Sequence, residues 1–280
     1  MQVKKYSGEL VPFDPHSLRQ SLFRSGATEA QVEQVYQAIQ AKLYDGISTR
    51  ELYDMAFDSL KEHKGAHAAR YALKKALQEL GPEGFYFERW IAKLFADDGY
   101  QTMTSQTIKG RAITHEIDVI ALQGDELLAI ECKFRNDADA KISVTTPMYF
   151  LSRVNDIKGL PYNFFGSEKK LSDGWLVTNA HLTLDSKTFG SYYKLNLLAW
   201  DYPAEKNIKQ RVDNKGLYPI TCLSTLSTMD KATLLKNECI LVQDLIHMPK
   251  FLDHLQADGG KRKRILQEAT ELLHTPVEMV

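Results

Sequence analysis

The stretch that decides the fold is His115-Glu116-Ile117-Asp118-Val119-Ile120-Ala121, closed by a Gly124-Asp125 turn and answered by Ala129-Ile130-Glu131-Cys132-Lys133-Phe134. Two apolar, β-branched-rich runs around a Gly-Asp turn read as a β-hairpin. Side chains alternate along a strand, so Glu116 and Asp118 share one face, and so do Glu131 and Lys133. Pairing the strands brings both sets together. The flanking residues Ile117, Val119, Ile120, Ala129 and Ile130 place these charges within buried-type strands, where an unpaired charge is costly. Carboxylates converging with one lysine suit a hard divalent cation such as Mg²⁺ or Mn²⁺, bound through oxygen with positions left for water and phosphate. Such a cation lowers the pKa of its water and stabilises charge in an in-line displacement at phosphorus, while the lysine orients or deprotonates the water or holds the phosphate. The plainer alternative is an edge hairpin with solvated charges on its outer face.

Working outward, the surrounding segment alternates. A helix over 85–98 ends at Gly99-Tyr100, and strands follow over 101–106, 117–122 and 127–134. A helix lies within 145–158, then come a strand over 174–179, a helix over 185–194 and a strand over 196–199. This αβββαβαβ order predicts a mixed sheet flanked by helices. Before it, strands over 3–6 and 10–13 join through Ser7-Gly8, and Asp14-Pro15 opens a helix. Helical spacing returns at Val32, Val35, Tyr36 and Ile39. It returns again at Leu52, Met55, Ala56 and Leu60 behind a Ser48/Glu51 capping box. A last helix over 66–80 ends at Gly81. The C-terminal segment reads as wholly helical. The chain is therefore predicted to be a multi-domain α/β protein with domains 1–82, 83–202 and 203–280, divided at Gly81-Pro82 and at the stretch that begins Tyr202-Pro203.

The 280 residues carry 35 Lys+Arg and 36 Asp+Glu, a net charge of −1, with 44% hydrophobic residues. This excludes a disordered chain and a collagen. The three cysteines, Cys132, Cys222 and Cys239, form no CxxC pair and suggest neither a disulfide framework nor a zinc site. No leader-type apolar segment or membrane span is evident, so a cytoplasmic location is expected. By segment the charge is +1 over 1–82, −3 over 83–202 and +1 over 203–280. The acidity is thus concentrated around the hairpin.

Residues 84–202 resemble the Mrr-like branch of the PD-(D/E)xK restriction-endonuclease fold. The likeness rests on 84–90 (GFYFERW), Ile117-Asp118-Val119-Ile120-Ala121, Glu131-Cys132-Lys133, and the later runs 174–179 and 194–198. It implies Asp118 and Glu131 as metal ligands, Lys133 as the catalytic lysine and Glu88 as an accessory acid on the first helix. Many Mrr-like members carry Gln before Cys-x-Lys, whereas Glu131 matches the wider superfamily. They also often have a Gly-rich lead into the aspartate, here replaced by His115-Glu116. Glu116 is a candidate extra ligand. His115, on the opposite face, is expected to serve packing or to donate from behind the ligands.

Residues 1–80 resemble an ATP-cone, through the run from Val3 to Glu9, Phe13-Asp14, Leu18, Ser21 and 68–73. The resemblance implies ATP or dATP as a regulatory ligand. Val3, Lys4, Lys5 and Arg70 are the candidate nucleotide contacts, with Lys4-Lys5 facing the phosphates and the helix after Asp14 adding N–H donors. A solvated tail explains Lys4-Lys5 as well, and a structural ion pair explains Arg70. No Walker-type motif is present. The run 217–245 resembles a helix-hairpin-helix variant, although Lys236-Asn237-Glu238-Cys239 replaces the usual Gly-rich hairpin. The basic tetrad Lys261-Arg262-Lys263-Arg264 is a candidate DNA contact. Its alternative is a solvated helix start.

The expected function is a Mg²⁺- or Mn²⁺-dependent DNA endonuclease tuned by an adenine nucleotide, with DNA as partner and no membrane. Cutting both strands of a duplex makes a homodimer or higher oligomer natural. The alternative is a nucleotide-responsive DNA-binding regulator that uses the nuclease fold only to grip DNA.

Overall fold

In the computed structural model, which describes residues 1–5, 8–81, 84–137 and 139–274, β1 (Gln2–Lys4) pairs antiparallel with β2 (Leu10–Pro12). β1 also pairs in parallel with the short β3 (Ile47–Ser48), so Val3 lies between Val11 and Ile47. Tyr6 of the expected strand, Ser7 of the expected turn and Pro82 of the expected boundary lie outside the described residues. Asp14 caps α1 (Pro15–Phe23) by accepting the His16 N–H at 2.9 Å. Capping boxes of Thr28/Gln31 and Ser48/Glu51 open α2 (Glu29–Gln40) and α3 (Thr49–His63). The helix expected over 66–80 is instead two helices, α4 (Gly65–Tyr71) and α5 (Leu73–Gln78), separated at Ala72. Val3, Leu22, Val35, Ile39, Ile47, Ala56 and Leu60 form the core beneath them.

Gly84 enters α6 (Phe85–Asp97) at φ +80°, a backbone conformation that only glycine adopts without cost. The helix buries Phe87, Trp90, Ile91, Leu94 and Phe95, and the Trp90 indole donates to the Leu217 carbonyl at 3.0 Å. There follow β4 (Gln101–Lys109), β5 (Thr114–Gln123), β6 (Glu126–Lys133) and β7 (Lys141–Ile142). Next come α7 (Thr145–Ile157), β8 (Pro161–Phe164), β9 (Ser167–Thr178) and β10 (His181–Leu182). α8 (Leu184–Tyr192), β11 (Asn196–Leu198) and α9 (Ile208–Lys215) complete this run. The main sheet has the order β11-β9-β6-β5-β4. β5 runs antiparallel to both β4 and β6, whereas β6, β9 and β11 run parallel. A mixed α/β sheet was predicted and is found. It contains one hairpin the sequence pattern did not announce: β8 returns antiparallel onto the N-terminal half of β9. β6 is central and almost wholly buried, which explains its unbroken apolar run.

The C-terminal part is helical as expected, with 3₁₀ turns at Ile220–Cys222 and Pro249–His254 interrupting α10 (Thr228–Lys236), α11 (Val242–His247) and α12 (Gly259–His274). The chain forms two compact units, one of residues 77–217 and the other of residues 1–76 with those from 218 onward. α9 therefore lies in the sheet-bearing unit, and the later helices share a unit with β1–β3 and α1–α4. Thr221 Oγ1 joins the two stretches by donating to the Ala76 carbonyl at 2.7 Å, and within the C-terminal stretch buried Glu268 accepts the Ser224 and Thr225 N–H groups at 2.8 and 2.9 Å. Among the described residues no helix is long and apolar enough to cross a membrane.

Candidate active site

The β5–β6 ladder runs from Gln123↔Glu126 to Val119↔Ile130, where the pairing recorded among the described residues ends. Beyond it a side chain takes over: the Asp118 carboxylate accepts the Cys132 N–H at 2.6 Å. β6 continues alone along β9, with Glu131 opposite Leu176 and Lys133 opposite Thr178. The strands thus part where the charges sit, and Asp118 satisfies a backbone donor that the ladder no longer reaches. Thr178 Oγ1 donates to the Lys133 carbonyl at 2.5 Å. The Asn179 side chain accepts from the Arg135 N–H and donates to the Arg135 carbonyl, fixing the exit of β6.

Around this fork the acidic residues assemble. Glu131 is 5% exposed, with one carboxylate oxygen on the Lys133 ammonium and the other on Arg153 of α7. Glu88, in the first turn of α6, has its pKa pushed up to about 7, by burial first and then by the charges of Asp118, Glu116 and Glu131. Asp118 rises to about 6, through burial and then Glu131, against the Cys132 N–H, Lys133 and Arg153. Burial first, then the charges of Asp118, Glu88 and Glu131, drive the pKa of the Cys132 thiol upward. Asp118, Glu131, Lys133 and Glu88 are therefore brought into one electrostatic cluster. Glu116 is exposed beside them, and its carbonyl accepts from Arg153 at 3.0 Å.

His115 faces the other way. It is buried and shares a 2.7 Å hydrogen bond with Asp156, whose carboxylate also accepts the Ala112 and Ile113 N–H groups. His115, then Ala112, hold the Asp156 pKa below its ordinary value. Arg153 escaped the sequence reading. Its signal was helical spacing: it lies on the stripe of Phe150, Val154 and Ile157, where a charge needs a partner.

The donor set tests the fit of a divalent cation. Clustered carboxylates raise one another's pKa, and oxygen donors of this kind match Mg²⁺ or Mn²⁺. As the side chains stand, however, no group of three or more His, Cys, Asp or Glu among the described residues is arranged to hold a metal. The Glu131 oxygens already serve Lys133 and Arg153. The donor chemistry fits, and the rotamers place basic groups on the Glu131 carboxylate.

The candidate nucleotide and DNA residues are placed less uniformly. Lys4 is exposed, and Lys5 lies 3.2 Å from Glu9. The Val3 side chain is in the core, with only 3% exposed. Arg70 is 4% exposed, donates to the Leu272 carbonyl at 3.1 Å and lies by the Tyr218 ring, inside the unit rather than on a surface a triphosphate reaches. Lys261 pairs with Asp230 at 2.7 Å and Arg262 with Asp253 at 2.6 Å, whereas Lys263 and Arg264 are exposed.

Comparison with known proteins follows these segments. Residues 1–79 match the ATP cone domain, residues 80–188 the archaeal Holliday junction resolvase (Hjc) family, and residues 218–273 the AF1548-like, C-terminal family. An uncharacterised protein of Archaeoglobus fulgidus is 29% identical over 187 residues, covering 65% of this chain and 99% of that protein. The crystal structure of AF1548, a protein of unknown function, aligns with a TM-score of 0.54 at 24% identity, over 68% of this chain and 97% of its own; that likeness is one of fold. The sheet-bearing segment thus matches the resolvase family, and the C-terminal segment the AF1548-like family. The chain therefore carries a segment that matches the ATP cone domain, followed by one that matches the archaeal Holliday junction resolvase family.

Proposed function

We propose that the protein is a divalent-metal-dependent endodeoxyribonuclease acting on branched DNA, with its activity responsive to ATP or dATP at the N-terminal domain. The observation that carries this reading is the parting of β5 and β6 at Asp118, which gathers Asp118, Glu131, Lys133 and Glu88 within a domain that matches a junction resolvase. Asp118 and Glu131 would hold the Mg²⁺ or Mn²⁺, with Glu116 as an added ligand, and the cation would supply an activated water and charge stabilisation at phosphorus. Lys133, one-third exposed, offers its ammonium to the phosphate or to the attacking water. Thr178 and Asn179 keep the backbone of 133–135 in place behind it. Lys4 and Lys5 are the proposed phosphate contacts of the nucleotide, and Lys263 and Arg264 are the members of the tetrad best presented to DNA.

The test incubates plasmid and four-way-junction DNA with Mg²⁺ or Mn²⁺, with and without ATP, using wild type and Asp118→Asn. Asn retains an acceptor for the Cys132 N–H while removing the charge. Metal-dependent cutting by wild type that D118N lacks is the expected result. Equal products from both sink the nuclease reading, and junction binding without cutting leaves the DNA-gripping regulator. Saturable nucleotide binding that the Lys4→Ala/Lys5→Ala double variant weakens is expected at the N-terminal site; unchanged binding would reject that assignment.

A further inference from the structure

Arg153, from α7, reaches the centre of the site with three polar contacts. Its guanidinium donates to a Glu131 oxygen, to the Glu116 carbonyl at 3.0 Å and to the Tyr149 hydroxyl at 3.3 Å, and lies 5.4 Å from the Tyr149 ring centroid. Its side chain is 15% exposed and that of Glu131 is 6% exposed. A planar fork fixed at three acceptors differs from the neighbouring ammonium. Lys133 is a point charge on a flexible stem and is 32% exposed, so it can swing aside at little cost. Arg153 cannot leave Glu131 without breaking a partly buried, charge-assisted bond.

A cation bound by Glu131 needs an oxygen that these groups now hold. Building on the nuclease reading above, we propose that Arg153 is a positioning residue that competes with the divalent cation for Glu131, and so sets the cation concentration at which Glu131 becomes a ligand. Removing Arg153 therefore strengthens cation binding, the reverse of what loss of a structural support produces.

Mn²⁺ binding is measured calorimetrically on the full chain, without DNA, for wild type, Arg153→Gln, Arg153→Lys, and each in an Asp118→Asn background, with folding checked by circular dichroism. R153Q is expected to bind Mn²⁺ about tenfold more tightly, and R153K to fall between it and wild type. D118N is expected to abolish binding in every background. Should R153Q fail to fold, R153K alone decides by the direction of its shift. Unchanged or weaker Mn²⁺ binding in folded Arg153 variants overturns the proposal, as does binding that survives D118N or an absence of binding throughout. Junction cleavage is assayed in parallel. Tighter Mn²⁺ binding without any DNA cutting would retain the competition and discard the nuclease, so the two failures are distinct.

Discussion

Lys133 and Asp156 show how single side chains serve this site in different ways. Lys133 faces the cluster, and its expected contribution is chemical: Lys133→Met should lower the junction cleavage rate on the order of 10²–10⁴-fold with little change in melting temperature, as single-turnover kinetics would read. Asp156 stands behind the site, gathering His115 and the 112–113 backbone. Its carboxyl is more acidic in the folded chain than its ordinary 3.8. A carboxyl with a lowered folded pKa adds stability that is fully present above its unfolded value and is lost as pH falls through the folded one. Urea titrations should show wild type losing more stability than Asp156→Asn as pH drops below that value. Parallel pH profiles would reject the role. Asp118, Glu131 and Lys133 were legible because each stands out against apolar strand neighbours. Arg153 was not, since its partner Glu131 lies 22 residues away across an intervening loop.

Among the elements, the packing of α7 on β9 depends on Gly174. A Cβ there would come within 2.5 Å of Val154 Cγ2 and 2.8 Å of Phe150 Cζ. Gly174→Ala should destabilise by about 1–3 kcal/mol through overpacking, and Val154→Ala added to it should recover part of that loss, as chemical denaturation would show. The Ser48/Glu51 capping box of α3 predicts a cost of about 1 kcal/mol for Ser48→Ala. Elements with their own local signal were legible: β5 and β6 by apolar runs and a Gly-Asp turn, α1 to α3 by caps and spacing. Those defined by a distant partner were not. β3 is two residues long and exists through its parallel pairing with β1, and the first half of β9 is a polar run ordered by β8. The 66–80 helix was read as continuous because a break at Ala72 leaves no mark in composition.

For the whole molecule, the stretch that begins at Tyr202-Pro203 leads into residues that pack with the beginning of the chain. The residues from 218 onward share a unit with 1–76, through contacts such as Thr221 to Ala76 that lie 145 positions apart. No local pattern could reveal such a pairing. Arg70 follows from it: its partners Tyr218 and Leu272 come from the far end of the chain. A chain truncated after Leu217 should therefore lose amide-exchange protection in α4, where Glu268 of α12 also packs beside Gly65. Retained protection there would show that 1–76 is complete by itself.

That partition also sets an order of birth. Translation runs from the N-terminal side, so the whole of 77–217, with its carboxylates and lysine, leaves the ribosome while the unit that includes 1–76 still awaits its closing helices. At the pace of synthesis this interval lasts on the order of seconds. Each nascent copy thus presents the finished sheet-bearing unit before the unit that includes the ATP-cone-like segment is whole.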